Sequence, residues 1–142
     1  MRSIDLDVSH QHRRRRFPRR ETLRTVRAVL QGEGLPVQTL SVVFVGSRFI
    51  RSINRRYLGH DWVTDVLAFP LSDGRAIEGE IYVNLDRARM QARQYKVSTA
   101  DETRRLIVHG VLHLAGYDDG TASTRRRMTA RENYYVERLG HH

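Results

Sequence analysis

The chain has 142 residues, of which 25 are Lys or Arg and 16 are Asp or Glu, so it carries a formal charge of +9 and an isoelectric point near 10.9. The absence of cysteine excludes a disulfide framework, a thiolate nucleophile and every zinc site built on sulfur. The length suits one domain over residues 1–142, and no apolar run approaches the ~18 residues of a membrane span. Because the N-terminal segment is arginine-rich and lacks an apolar secretory stretch, we expect a cytoplasmic protein.

Almost all of the positive charge is arginine. Lys96 is the only lysine, so 24 of the 25 basic residues are Arg. This preference has two interpretations. It can reflect a compositional bias of the genome, since Arg and Lys serve the same solubility role at a surface. It can also favour the binding of polyanions such as nucleic acids, because a guanidinium group binds phosphate with two hydrogen bonds and stacks on bases.

Hydrophobic spacing and turn residues predict a series of alternating strands and helices. The expected elements are, in chain order, an edge strand near residues 4–8, a helix over 18–30, a strand over 39–45, a helix over 47–57, a loop over 58–65, a strand over 66–69, a turn over 72–74, a strand over 79–85, and helices over 86–94, 99–115 and 123–139. Ser47, Asp86 and Thr99 are expected to cap the helices that they begin, and Gly32 with Gly34 to stop the first helix.

This order of elements predicts an α+β fold in which a small mixed β-sheet is packed with helices. The helix over 99–115 is apolar on most sides, so we expect it to be buried in the centre of the fold.

The central helix also carries the candidate metal ligands. His109 and His113 are four positions apart and therefore lie on one face, while Asp119 follows Gly116, where the chain can turn back. Two imidazoles and one carboxylate with an open fourth position form a donor set typical of catalytic zinc, which lowers the pKa of bound water to ~7. Asp118 competes with Asp119 as the third ligand. The general base stays open among these two carboxylates and the metal-activated water itself.

Two histidines four apart can also be unrelated residues, one satisfied in the core and one at the surface. An apolar helix favours the metal site, because an unpaired imidazole would be costly there. Gly110 also favours the metal site. Glycine costs ~1 kcal/mol of helix propensity, so its presence suggests that a neighbouring group must approach the helix closely at this position. Zinc peptidases of the His-Glu-x-x-His type carry their general base at this position, so Gly110 disfavours a peptidase.

Three segments together resemble a known family. Residues 109–119 (HGVLHLAGYDD), the pattern Asn54-x-x-Tyr57 and residues 64–70 (TDVLAFP) are similar to the YbeY family of metal-dependent endoribonucleases, also called rRNA maturation factors. The resemblance implies a zincin-like metal helix with one zinc ion per chain, held by His109, His113 and Asp119. It also implies single-strand-specific cleavage of rRNA precursors, with roles in 16S rRNA 3′-end maturation and ribosome quality control. The implied partners are RNA and the ribosome, with neither DNA nor a membrane.

Two positions depart from the family pattern. Asp119 stands where the third zinc ligand is usually histidine, and because a carboxylate is a competent zinc ligand we expect a site with altered affinity. Leu58 replaces an arginine that is thought to assist the RNA chemistry of the family, although Arg55 and Arg56 lie just before it.

The expected RNA contacts lie on the second helix and the loop that follows it. They are Arg51, Arg55, Arg56 and His60, with Tyr57 or Trp62 available for base stacking. The alternative is a solvated helix face for the arginines and a core or rim position for the aromatic residues. Thr64 and Asp65 are expected to organise the loop against the metal helix through hydrogen bonds from side chain to backbone.

Two other functions stay open. One is a ribosome-associated RNA-binding factor with a mainly structural metal and weak or no nuclease activity, which Leu58 favours. The other is a metallohydrolase of another substrate, including peptides. Two His and one Asp can also hold manganese or nickel.

Overall fold

A computed structural model describes residues 5–71 and 77–140. The strands in this part of the chain are β1 (Asp5–His10), β2 (Val37–Val45), β3 (Val66–Pro70) and β4 (Ile77–Asn84). The helices are α1 (Arg19–Glu33), α2 (Ser47–Leu58), α3 (Leu85–Tyr95), α4 (Thr99–Leu114) and α5 (Ala122–Gly140). The turn expected over 72–74 lies outside the described residues. None of these helices is long and apolar enough to cross a membrane.

The four strands form one mixed sheet in the order β1-β2-β4-β3. β1 and β2 are parallel, as are β2 and β4, whereas β3 runs antiparallel to β4. The prediction of an α+β fold with a mixed sheet is confirmed, and β1 lies at the edge, as its sequence indicates. Pro70 ends the opposite edge strand, where a missing N–H is tolerated.

α4 lies in the core, as predicted. Ile107, Val108, Val111 and Leu112 are fully buried and belong to the main hydrophobic cluster, together with residues of β2 and β4. A Cβ atom at Gly110 would lie 2.6 Å from Cγ2 of Ile81. Gly110 therefore allows α4 to lie directly on β4, which is the close approach that its sequence position indicates.

We expect Gly110→Ala to destabilise the protein by up to about 2 kcal/mol, because overpacking the contact with Ile81 costs about 1–3 kcal/mol and the gain in helix propensity offsets only ~1 kcal/mol of it. The free energy of unfolding in urea measures this change. Gly120→Ala is the matched control, since its methyl group would meet nothing closer than 3.9 Å. Equal stability of the two variants would contradict the packing explanation.

The start of α3 differs from the prediction. Asn84 rather than Asp86 caps the helix, because the Asn84 side-chain oxygen accepts the backbone N–H groups of Asp86 (3.0 Å) and Arg87 (3.2 Å). The Asp86 carboxylate points elsewhere: it accepts the Ser47 N–H at 3.1 Å and lies 2.7 Å from Nε2 of His12. Ser47 is the first residue of α2 rather than its cap. Asp86 thus links the segment after β1, α2 and α3 instead of capping α3.

Two other helix ends also differ from prediction. Ser98, not Thr99, caps α4, because its hydroxyl accepts the backbone N–H three residues later at 3.0 Å. Gly32 does not stop α1, which ends at Gly34 in the left-handed conformation (φ 67°). The ring of Tyr135 occupies the space that a side chain at Gly32 would need. Gly32 therefore allows α5 to pack closely against α1.

Candidate metal centre

α4 and the loop after it bring together two of the three predicted metal ligands. His109 Nε2 lies 3.7 Å from Oδ2 of Asp119, and the two side chains are 26% and 50% exposed. Two ligand atoms each about 2.1 Å from one zinc ion, in a tetrahedral arrangement, are about 3.4 Å apart. The His109–Asp119 pair is therefore close to the spacing that a shared zinc ion requires.

A carboxylate that the sequence analysis did not identify holds the other ring nitrogen of His109. His109 Nδ1 lies 2.5 Å from Oε2 of Glu132, a residue of α5 that is 8% exposed. The other Glu132 oxygen accepts a hydrogen bond from Nη1 of Arg105 at 3.3 Å. This contact fixes the imidazole ring and leaves Nε2 facing Asp119. A carboxylate on the second nitrogen is the usual partner of a metal-ligating histidine.

The sequence contains a signal that could have identified Glu132. Met128, Tyr135 and Leu139 are the buried apolar residues of α5, and position 132 completes their helical stripe. A carboxylate at a core position needs a polar partner inside the fold, because burial of an unpaired charge is costly. The spacing predicts that Glu132 is buried, although it does not identify His109 as its partner.

The surroundings of His109 favour a positive charge at this site. Burial opposes the protonated form of the ring, but the hydrogen bond to Glu132 and the charges of Glu132, Asp119 and Asp65 outweigh it. The pKa of His109 is therefore raised above its ordinary value. The same carboxylates would attract a metal cation.

His113 does not join this pair as a third ligand among the described residues. Its side chain is exposed, so the expectation that an apolar environment would penalise its ring is wrong. The pKa of Asp118 is lowered mainly by a hydrogen bond from Thr124 and next by the backbone N–H of Gly120, with a smaller contribution from His113. Within the described part of the chain, no three His, Asp or Glu side chains are grouped so that they could hold a metal ion. The three-ligand site with His109 remains a prediction.

A second buried carboxylate lies on α4, two turns before His109. Glu102 is 2% exposed, and its burial raises its pKa to about 7. The negative charges of Asp65 and Glu132 add to the effect, whereas Arg105 opposes it. α4 therefore carries a protonatable carboxyl group beneath the candidate centre, which the apolar pattern of the helix did not indicate.

We expect Glu102→Gln to stabilise the protein above neutral pH. The pKa of Glu102 rises from 4.5 to about 7 on folding, so the native state binds the proton more tightly and wild-type stability falls as pH increases through this window. The variant stays neutral, so its stability relative to the wild type should increase by roughly 3 kcal/mol between pH 4.5 and 7.5. Urea unfolding across this range measures the difference, with exposed Glu137→Gln as the control. A difference that does not change with pH would contradict the assignment.

Thr64 and Asp65 contact β4 and α3 instead of the backbone of the metal helix. Asp65 Oδ2 accepts a hydrogen bond from Nε2 of Gln91 at 3.2 Å, and the Asp65 carbonyl accepts the Asn84 N–H at 2.8 Å. The Thr64 carbonyl accepts Nδ2 of Asn84 at 3.0 Å. The prediction that these two residues bind the metal helix is therefore wrong, because their hydrogen-bond partners are Asn84 and Gln91. Asp65 still influences His109, because its negative charge helps to raise the pKa of that histidine.

The three predicted RNA-binding arginines are exposed on α2. Arg51 Nε donates to Oδ1 of Asp61 at 2.9 Å, and this hydrogen bond lowers the pKa of Asp61. Arg55 and Arg56 make no ion pair with a carboxylate among the described residues. The exposed arginines of α2 that pair with no carboxylate of the described residues are therefore Arg48, Arg55 and Arg56, and the last two are among the predicted RNA contacts.

The aromatic residues next to these arginines are exposed, so the core alternative is excluded. Tyr57 is 65% and Trp62 is 56% exposed, and His60 stacks on Trp62 with ring centroids 4.4 Å apart. Tyr57 meets Phe69 edge to face at 6.1 Å, beside a cavity of about 420 Å³ that Tyr82 also lines. Flat side chains with free faces can stack on unpaired bases.

The structure is a small α+β domain with a candidate metal centre on its central helix. The family model described as Endoribonuclease YbeY matches residues 7–140. The chain therefore belongs to the endoribonuclease YbeY family. The family resemblance and the nuclease class predicted from the sequence are thereby confirmed.

Individual relatives agree with the family model. The chain is 44% identical over 130 residues to an Endoribonuclease YbeY of Chlorobium luteolum, covering 92% of this chain and 95% of the relative. It is 40% identical over 126 residues to the protein of the same name from Chloroherpeton thalassium, covering 89% of each. A solution structure of a Thermotoga maritima protein matches with a TM-score of 0.63 and 26% identity, over 94% of this chain and 88% of that one.

Proposed function

We propose that this chain is a zinc-dependent, single-strand-specific endoribonuclease that acts on rRNA precursors in the cytoplasm. Its roles would be 16S rRNA 3′-end maturation and ribosome quality control, carried by one hydrolase domain. The observation that carries the proposal is the His109 ring, held between Glu132 and Asp119 in a member of an endoribonuclease family.

The residues around His109 fit a zinc ion in donor type and charge. His109, His113 and Asp119 would hold the ion, since imidazole nitrogen and carboxylate oxygen are its usual ligands where cysteine is absent. When bound, zinc supplies Lewis acidity and a lowered pKa for water. Glu132 keeps His109 in one orientation, because its carboxylate binds the Nδ1 side of the ring. Asp118, exposed beside the site, is available as a proton acceptor.

The substrate side of the proposal depends on charge and stacking. Arg55 and Arg56 are exposed and pair with no carboxylate in the described part of the chain, and guanidinium groups hold phosphate with two hydrogen bonds. Tyr57 and Trp62 are exposed next to them and would stack on splayed bases. Bases are free to stack in this way only when they are unpaired, which supports a preference for single-stranded RNA.

Cleavage of matched single-stranded and double-stranded RNA by the zinc-loaded protein tests the proposal. We expect cleavage of the single strand only, its loss when a chelator removes the metal, and its return when zinc is added back. Cleavage that persists after metal removal would contradict the zinc dependence. Equal cleavage of both substrates would contradict the strand preference.

A second candidate is a ribosome-associated RNA-binding factor with a mainly structural metal. Leu58 favours it, because this exposed residue stands at the end of α2 where the family pattern has an arginine. Tight, salt-dependent RNA binding without cleavage under any divalent metal would support this candidate over the nuclease.

A further inference from the structure

A second basic surface lies between β1 and α1, outside the candidate metal centre. Residues 13–20 contain six arginines and no acidic residue. Five of the six are exposed; Arg13, Arg14 and Arg16 are the exposed ones that precede α1, and we call these three the connector arginines. None of their guanidinium groups makes a hydrogen bond or ion pair with a described residue.

The backbone of this connector is fixed on both sides of the arginines. Before them, His12 Nδ1 accepts the backbone N–H groups of Arg14 (3.1 Å) and Arg15 (3.0 Å), while its Nε2 lies 2.7 Å from Asp86. After them, Phe17 is 6% exposed, and its N–H donates to a ring nitrogen of His10 at 3.1 Å. The connector arginines are therefore presented from an ordered backbone rather than from a loose loop.

The carboxylates around the connector already have partners. Asp86 Oδ1 pairs with Nε2 of His12, and Nε of Arg15 lies 3.5 Å from the same oxygen. Glu21 pairs with Arg24 and Arg104, and the hydrogen bond from Arg24 is the main reason that its pKa is lowered to about 2. Neither of these two carboxylates makes an ion pair with a connector arginine, and no other described carboxylate does. A cluster of like charges without counter-charges destabilises a compact fold unless an anion binds there.

A cleft of about 490 Å³ opens beside these residues. Its lining includes Arg14, Arg15 and Arg16 of the connector, and Thr99 and Arg104 in the first turns of α4. Glu21 also lines the cleft, where Arg24 and Arg104 pair with its carboxylate. At 1.5 Å rise per residue, Thr99 and His109 are about 15 Å apart along the helix axis. The cleft and the candidate metal centre thus lie toward opposite ends of α4, at a distance that one RNA chain can bridge.

We propose that the connector arginines and this cleft form an anchoring site for the phosphate backbone of RNA, separate from the candidate centre. The proposal rests on the proposed function for the identity of the polyanion. Arginine suits this ligand because its planar group grips phosphate with two hydrogen bonds. RNA is favoured over a lipid surface, because the exposed large apolar residues of the described chain lie on other segments and Phe17 is buried.

The salt dependence of RNA binding tests the anchoring site. The variant Arg13→Gln, Arg14→Gln, Arg16→Gln removes three charges whose guanidinium groups make no hydrogen bond or ion pair with a described residue, and the three corresponding Arg→Lys substitutions keep the charge. Arg89→Gln, Arg93→Gln, Lys96→Gln is the matched control, since it removes three exposed charges at the end of α3. The affinity of each protein for an RNA of about 30 nucleotides is measured across a range of salt concentrations.

For the connector Gln variant we expect the slope of log affinity against log salt to become shallower by about 2. Each phosphate contact contributes ~0.7 to this slope on a single strand, and the variant loses three contacts. The Lys variant should keep the slope of the wild type, and the α3 control should change it by less than half as much as the connector variant. Equal changes in the connector variant and the control would overturn the proposal. It would also be overturned if the connector variant lost affinity for anionic lipid vesicles but none for RNA.

These outcomes are independent of the nuclease proposal. If the slope becomes shallower as expected while the wild type cleaves no RNA, the anchoring site stands and the nuclease function fails. If the wild type cleaves RNA and the slope does not change, the anchoring site fails and the nuclease function stands.

Discussion

His109→Ala should abolish RNA cleavage and zinc binding while leaving RNA binding within about twofold of the wild type. His109 is the only predicted ligand whose ring is fixed by a buried carboxylate, and its free nitrogen faces Asp119. Loss of a carboxylate behind a ligand typically costs 10–100-fold in metal affinity or activity, so loss of the ligand itself should cost at least about a hundredfold. Competition with a chromogenic chelator measures zinc affinity, and single-turnover cleavage of single-stranded RNA measures activity.

His60→Ala is the matched control for this variant. His60 is exposed, stacks on Trp62 and is not a predicted metal ligand, so its loss should leave zinc affinity unchanged. If His109 and His113 both hold the ion, His113→Ala should lose zinc to a similar degree despite its exposure. Wild-type zinc affinity in His109→Ala would contradict the assignment of the centre.

Glu132→Gln should weaken zinc binding by about 10–100-fold. The amide keeps the size of the side chain but removes the negative charge that holds His109 Nδ1 and favours a cation nearby. For the same reason, the pKa of His109 in the zinc-free variant should fall below its value in the wild type, which an NMR titration measures. Glu137→Gln removes an exposed charge from the same helix and should change neither quantity.

The outcome of the Glu132 variant separates two roles of the carboxylate. If Glu132 only stabilises the fold, the free energy of unfolding will change while the zinc affinity of the folded protein stays at the wild-type value. That result would contradict a role in holding His109 for the metal.

Local sequence patterns predicted the elements well because periodicity and turn residues act over a few neighbouring positions. The burial of α4 followed from its apolar residues, and the close contact at Gly110 from the cost of glycine in a helix. The caps were less predictable, because Asn84 and Asp86 are equally suited to cap α3. The choice depends on His12, a residue 74 positions away from Asp86, which engages its carboxylate.

In the candidate site, too, features set by neighbouring residues were predicted and features set by distant residues were not. The four-residue spacing of His109 and His113 places them on one face of α4, but the exposure of His113 depends on how the following loop runs. Glu132 is 23 positions from His109 and meets it only because α5 packs against α4. Such a pairing depends on tertiary packing, which spacing along the chain does not encode.

Adding zinc back to metal-depleted protein is the most direct test of the proposed centre, with the cleavage rate of single-stranded RNA as the readout. We predict no cleavage before zinc is added and a rate that rises until about one zinc ion is bound per chain. Full cleavage by the metal-depleted wild type, or uptake of less than about a tenth of an equivalent of zinc, would contradict a catalytic zinc centre at His109.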